Sequence, residues 1–163
     1  MVIKNSLDRS YIYYGLPAFA LAMPTIPAFI YLPSIYATSL GLTATGLILL
    51  IARAVDVISD PIIGIISDNK NTRFGRRKPW IFIGSIISAI SLVTLFQPPD
   101  NVTIFFLITW VILLYLGWTM ISVPYTAWGA ELSDSYYERT KITAIREALT
   151  IFGILIAGII PAL

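Results

Sequence analysis

Three charged residues set the chemistry open to this chain. Arg53, Asp56 and Asp60 stand in the apolar stretch I-A-R-A-V-D-V-I-S-D-P, residues 51–61. At about 100° per residue of helix they fall within roughly 60° of one another, one stripe on one face. Two carboxylates a single turn apart can converge on one small cation, and Ser59 adds a hydroxyl on a nearby face. Such oxygen ligands suit a hard monovalent cation or a proton. Arg53, one turn away, neutralises a carboxylate when no cation is bound, so two charge arrangements are available. The plainer reading is a fixed salt bridge holding helix to helix. Ionisable groups at this depth in lipid cost about 2.5–3.5 kcal/mol each on insertion scales, and by default they mark functional sites.

The elements that must hold this stripe are membrane helices. Of 163 residues, 57% are hydrophobic and 12% charged, about half the charge fraction of a soluble domain. Several apolar runs reach the roughly 20 residues that cross a bilayer. Cysteine and histidine are both missing, which excludes disulfides, thiolate metal sites and imidazole mechanisms and leaves carboxylates and tyrosines for proton chemistry. A net charge of +2, with the bases gathered in loops, gives no reason to expect a nucleic-acid partner. The opening residues M-V-I-K-N-S-L-D-R-S lack the pattern of a cleaved signal peptide.

The reading is an all-α integral membrane protein of about five spans. The first runs over about 11–38 and is bent or broken by Pro17, Pro24, Pro27 and Pro33. The others cover about 43–67, 79–96, 102–123 (with a break near Pro124) and 140 to the end. Lys and Arg gather at the amino terminus and in the 68–78 and 129–141 loops and are missing from 39–42 and 97–101. The positive-inside rule therefore puts the amino terminus in the cytoplasm. Gly153 and Ala157 form a small-xxx-small pair suited to a close helix contact.

Two further groups carry candidate chemistry. In the basic loop, Gly64, Asp68, Arg73, Gly75, Arg76 and Arg77 can form a charged latch for one conformation, or serve topology and anionic-lipid contact alone. At the end of the fourth span, Thr119, Ser122, Tyr125, Thr126 and Trp128 offer hydroxyls and an aromatic plane, with Arg146 two turns inside the fifth. Sugars are held by hydroxyl and guanidinium hydrogen bonds and by C–H faces on rings. Ordinary interhelical bonding explains each of these residues equally well taken singly.

Five motifs in order carry a family resemblance: Y-G-L-P at Tyr14–Pro17, A-R-A-V-D-V-I-S-D-P at Ala52–Pro61, R-F-G-R-R-K-P-W at Arg73–Trp80, V-P-Y-T-A-W-G-A-E-L at Val123–Leu132, and E-R-T-K-I-T-A-I-R-E at Glu138–Glu147. Together they resemble the glycoside–pentoside–hexuronide:cation symporters, a branch of the major facilitator superfamily that includes the melibiose carrier. The resemblance implies a twelve-helix carrier working by alternating access. The chain then reads as residues 1–163 of an incomplete amino-terminal six-helix half, a partial major facilitator fold of helices one to five. It also implies a cation site of Asp56, Asp60, Ser59 and Thr119 with Arg53 as charge partner. The implied solute site contains Arg146, with Tyr14, Ser122, Tyr125, Thr126 and Trp128 as further candidates. The family's acids in helices one and four align with Ala22 and Ser122, and its stacking tryptophan with Thr126. Galactoside specificity is therefore not carried over.

The function expected is symport of a small polar solute, sugar or glycoside in class, coupled to sodium or protons, with no covalent step and no cofactor. Its partners would be the solute, the cation, the bilayer of the cell (inner or plasma) membrane and a missing carboxyl-terminal half. A major facilitator antiporter and a non-transporting truncated fragment are the alternatives.

Overall fold

The computed structural model describes residues 9–69, 72–73 and 75–159, with side chains from Tyr11 onward; Lys70 of the basic loop lies outside them. Every regular element among the described residues is helical: α1 Arg9–Ala22, a π-helical turn Pro27–Tyr31, α2 Leu32–Leu40, α3 Leu42–Asn69, α4 Lys78–Phe96, α5 Ile104–Glu131 and α6 Tyr136–Ile159. Apolar chain in lipid has no water to satisfy its amides, so each run bonds to itself as helix. Tyr11–Leu40, Lys78–Phe96, Ile104–Glu131 and Tyr136–Ile159 are each long and apolar enough to cross a membrane. At 28 residues, α3 has the same reach and carries the charged stripe.

The first span is broken as its prolines dictate. Pro24 and Pro27 cannot donate to the ladder, and the chain widens into a π turn before α2 resumes. The Ala28 amide enters this stretch with an ordinary i→i−4 bond to the Pro24 carbonyl at 2.9 Å. The next stop is Gly41, at φ +85°, whose amide bonds the Ala37 carbonyl at 3.1 Å. This left-handed cap ends α2 where a side chain would be strained.

Two boundaries differ from the sequence expectation. The helix does not break at Pro124: α5 runs through it to Glu131, and the Pro124 ring is fully buried. Packing around a buried ring outweighs one lost backbone bond, as membrane helices allow. The last helix begins a turn early, at Tyr136. The Arg139 amide bonds the Ser135 carbonyl at 3.0 Å, and its side-chain Nε donates to the Ser133 carbonyl at 2.6 Å. Glu138 in the first turn favours this start through the helix dipole.

The chain divides into two compact units, Leu32–Trp128 and the pieces flanking it, up to Tyr31 and from Gly129 onward. In the flanking unit α1 packs on α6. Gly153 lies so close to α1 that a Cβ there would meet the Phe19 carbonyl oxygen at 2.7 Å, and the rings of Phe19 and Phe152 lie beside it, 5.9 Å apart. Small residues permit this backbone approach.

In the Leu32–Trp128 unit the core gathers Leu32, Tyr36, Ile48, Ala52, Leu95, Leu107 and Val111. Gly84 of α4 and Gly117 of α5 meet backbone to backbone; a Cβ at Gly84 would lie 2.7 Å from the Gly117 carbonyl. Tyr36, wholly buried, donates its hydroxyl to the Leu95 carbonyl at 2.9 Å. Leu95 sits in the last turn of α4, whose carbonyls have no partner in their own helix. Tyr36→Phe would strand that oxygen in the core, at a cost of about 1–3 kcal/mol. A melting temperature lowered by several degrees in detergent is the expected result, against an unchanged value if the bond contributes nothing.

Candidate functional site

Within the Leu32–Trp128 unit, Asp56 is the centre of a small polar set on α3 and α5. Its side chain is 13% exposed. Thr119, wholly buried on α5, donates to Asp56 Oδ1 at 2.8 Å, and Arg53 Nη1 donates to Oδ2 at 3.2 Å. Ser59, also buried, donates to the Asp56 main-chain carbonyl at 3.0 Å and stands 3.4 Å from Thr119 Oγ1. Both hydroxyl protons are thus committed, to the carboxylate and to the backbone. What remains free on Ser59 and Thr119 is lone pairs, which with the carboxylate form an oxygen set suited to a hard cation.

Asp60 is not part of this set. It is exposed and makes no hydrogen bond or ion pair among the described residues. Arg53 is the open member, with 61% of its side chain exposed. The positive charge that would have to give way to a cation is therefore the mobile one, on a long side chain whose exposed ion pair is worth little net. Tyr115 was not among the sequence candidates, yet the Arg53 guanidinium lies over its ring. A usable signal existed: Tyr115 is four residues before Thr119, one turn back on the same face of α5.

The solute candidates fall in two places. Tyr14 and Arg146 belong to the flanking unit. Tyr14 is 5% exposed and is a hydrogen-bonding neighbour of Arg146. A Cβ on Gly129 would collide with the Tyr14 hydroxyl. Arg146, 18% exposed, also pairs with Glu147, its Nε donating to Oε1 at 3.2 Å. Adjacent helical residues do not normally face each other, so this pair bends both side chains to one side. Ser122, Tyr125, Thr126 and Trp128 lie on successive turns of α5 in the other unit: Tyr125 is buried, Ser122 and Trp128 half-buried, Thr126 exposed.

The loop candidates surround the α3–α4 connection. Arg77, 8% exposed, bonds Asp68 through Nη2 at 3.1 Å. Each is at the wrong end of a helix dipole, an acid in the last turn of α3 and a base just before the first turn of α4. Pairing offsets both penalties. Gly75 sits at φ +99°, in a turn closed by its amide on the Thr72 carbonyl at 3.0 Å and by the Thr72 hydroxyl on its own carbonyl at 2.6 Å. Gly64 faces Val123, and Ser67 below it bonds its carbonyl. Arg73 is exposed and Arg76 half-buried. Asp68→Asn removes this ion pair from a nearly buried guanidinium at a helix N-terminus. Since Asp68 itself is 54% exposed, the expected loss is about 1–2 kcal/mol, read as a lower melting temperature than for Arg73→Gln.

Residues 13–163 match the family described as MFS/sugar transport protein. The chain belongs to that family. The MFS chain is 34% identical over 128 residues to the uncharacterized symporter sll1374 of Synechocystis, covering 71% of this chain and 23% of that protein. It is 30% identical over 130 residues to the inner membrane symporter YicJ of Escherichia coli, covering 76% and 28%. With a lactose permease of Lactobacillus helveticus it shares 34% over 117 residues, covering 67% and 18%. The MFS chain thus spans about a quarter of the length of the curated relatives it matches. It is an all-α, multi-pass membrane protein with part of the major facilitator fold, and its named relatives are symporters and a permease.

Proposed function

We propose that the chain supplies the amino-terminal helices of a cell-membrane symporter that moves a small polar solute, of the sugar or glycoside class, with sodium or a proton. One observation carries this reading: Asp56, Ser59 and Thr119 meet across α3 and α5 with lone pairs to spare, and the single counter-charge on Asp56 is an open arginine. A cation entering this set replaces Arg53 as the partner of Asp56. Charge is conserved locally while the helix pair changes its bonding, which is the condition for coupling an ion to a conformational change. Arg146, held by Tyr14 and Glu147, supplies donors to solute hydroxyls. No covalent bond is made or broken. Asp60, exposed on the next turn of α3, is available as an additional cation ligand in a complete carrier.

A structural lock is the second reading, favoured by the fact that both Asp56 oxygens already have protein partners. Uptake of labelled glycosides into vesicles carrying the full gene product separates the two. Accumulation driven by an imposed sodium or proton gradient is expected; uptake indifferent to both gradients leaves only the lock.

A further inference from the structure

The cation reading requires Arg53 to leave Asp56, and what the released guanidinium meets next affects how readily it leaves. Tyr115 is in place to receive it. The guanidinium carbon lies 5.9 Å from the centroid of the Tyr115 ring, near the outer limit of about 6 Å at which a cation feels the ring face. With Arg53 on Asp56 the guanidinium is thus at the edge of that range, already a hydrogen-bonding neighbour of the Tyr115 hydroxyl and free to move further over the ring. The phenol stands one turn from Thr119 on α5, while Arg53 stands one turn from Asp56 on α3. A small swing of the flexible arginine stem exchanges one neighbour for the other without crossing to a third helix. Arginine suits such an exchange because its planar, weakly hydrated head stacks on aromatic faces as readily as it forks onto carboxylates.

We propose that Tyr115 is a positioning residue, its ring being the second seat of Arg53 when a cation occupies Asp56. The proposal rests on the cation reading of Asp56 given above. Its consequence is specific. The ring stabilises the displaced arginine more than the seated one, so it favours cation binding without touching the cation. An exposed cation–π contact changes an equilibrium by about two- to fivefold, which sets the size of the effect.

The test is a calorimetric titration of the purified full gene product, with sodium chloride against choline chloride and, in parallel, with acid. Tyr115→Leu is expected to raise the half-saturating concentration of the coupling cation by about two- to fivefold relative to Tyr115→Phe, which keeps the ring and gives up only the phenol's hydrogen bond to Arg53. In an Arg53→Ala background the Leu substitution is expected to have no further effect, since the ring then has no guest. A packing role for Tyr115 would persist in that background. If Tyr115→Leu fails to fold, Tyr115→Met keeps similar length without the ring and takes its place. Unchanged or tighter binding in the ring-deleted variant overturns the proposal, as does a Phe variant as weak as the Leu variant or a shift that survives removal of Arg53. Wild-type protein that binds neither sodium nor protons overturns the Asp56 reading itself, and this inference with it.

Discussion

Asp56→Asn is expected to abolish gradient-driven accumulation while leaving the helices folded. The amide keeps the shape of the carboxylate and still accepts from Thr119, but it removes the only negative charge in the set. A unit charge about 4 Å from a monovalent cation contributes about 4 kcal/mol at an effective dielectric of about 20, roughly a thousandfold in cation affinity. Uptake in vesicles is then expected to become indifferent to sodium and proton gradients, with downhill solute movement retained. The variant also releases Arg53 from its partner, so the melting temperature reports the salt bridge separately. If accumulation persists in Asp56→Asn, the ion is bound elsewhere. Asp60→Asn strands no hydrogen-bond donor among the described residues, and its stability is expected to match the wild type.

Arg146→Lys is the second large effect. The guanidinium of Arg146 is mostly buried and is oriented by two neighbours, Glu147 and Tyr14. A lysine keeps the charge but presents one small ammonium where a planar fork stood. Hydrogen bonds from a charged donor contribute about 1.5–3 kcal/mol, so the half-saturating solute concentration is expected to rise by about ten- to a hundredfold. Cation binding, measured without solute, is expected to stay at its wild-type value. A loss of both together would mean that Arg146 holds the fold and does not contact solute. Gly129→Ala gives an independent view of the same group, because its methyl would displace the Tyr14 hydroxyl and loosen Arg146 without changing its charge.

Much of this architecture was legible in the residue order. Hydropathy runs mark the helices, and of the four prolines in the first span Pro24 and Pro27 stand at the break that precedes α2, while Pro17 and Pro33 lie inside helices. The spacing of Arg53 and Asp56 put them on one face, and the two side chains do bond. What composition and periodicity could not reveal was long-range pairing. Thr119 and Asp56 are 63 residues apart, and nothing local says that these two helix faces meet. The placement of Asp60 outside the set is likewise a matter of how α3 is rotated against its neighbours, which a stripe about 60° wide leaves open. Pro124 stays within its helix because burial of its ring, and not the local rule that proline ends helices, decides the outcome there. The start of α6 at Tyr136 is hidden in the sequence for a related reason. Its first turn is polar and is held by Ser133, Ser135 and Arg139 bonding among themselves, so no apolar period announces it.

The most direct test of the central idea is infrared difference spectroscopy of the purified protein in lipid, comparing sodium with choline and then mild acid with neutral pH. A cation that replaces Arg53 changes the coordination of the Asp56 carboxylate, so at least one of the two difference spectra is expected to contain a carboxylate band that disappears in Asp56→Asn. Identical difference spectra from the wild type and from Asp56→Asn would contradict the account.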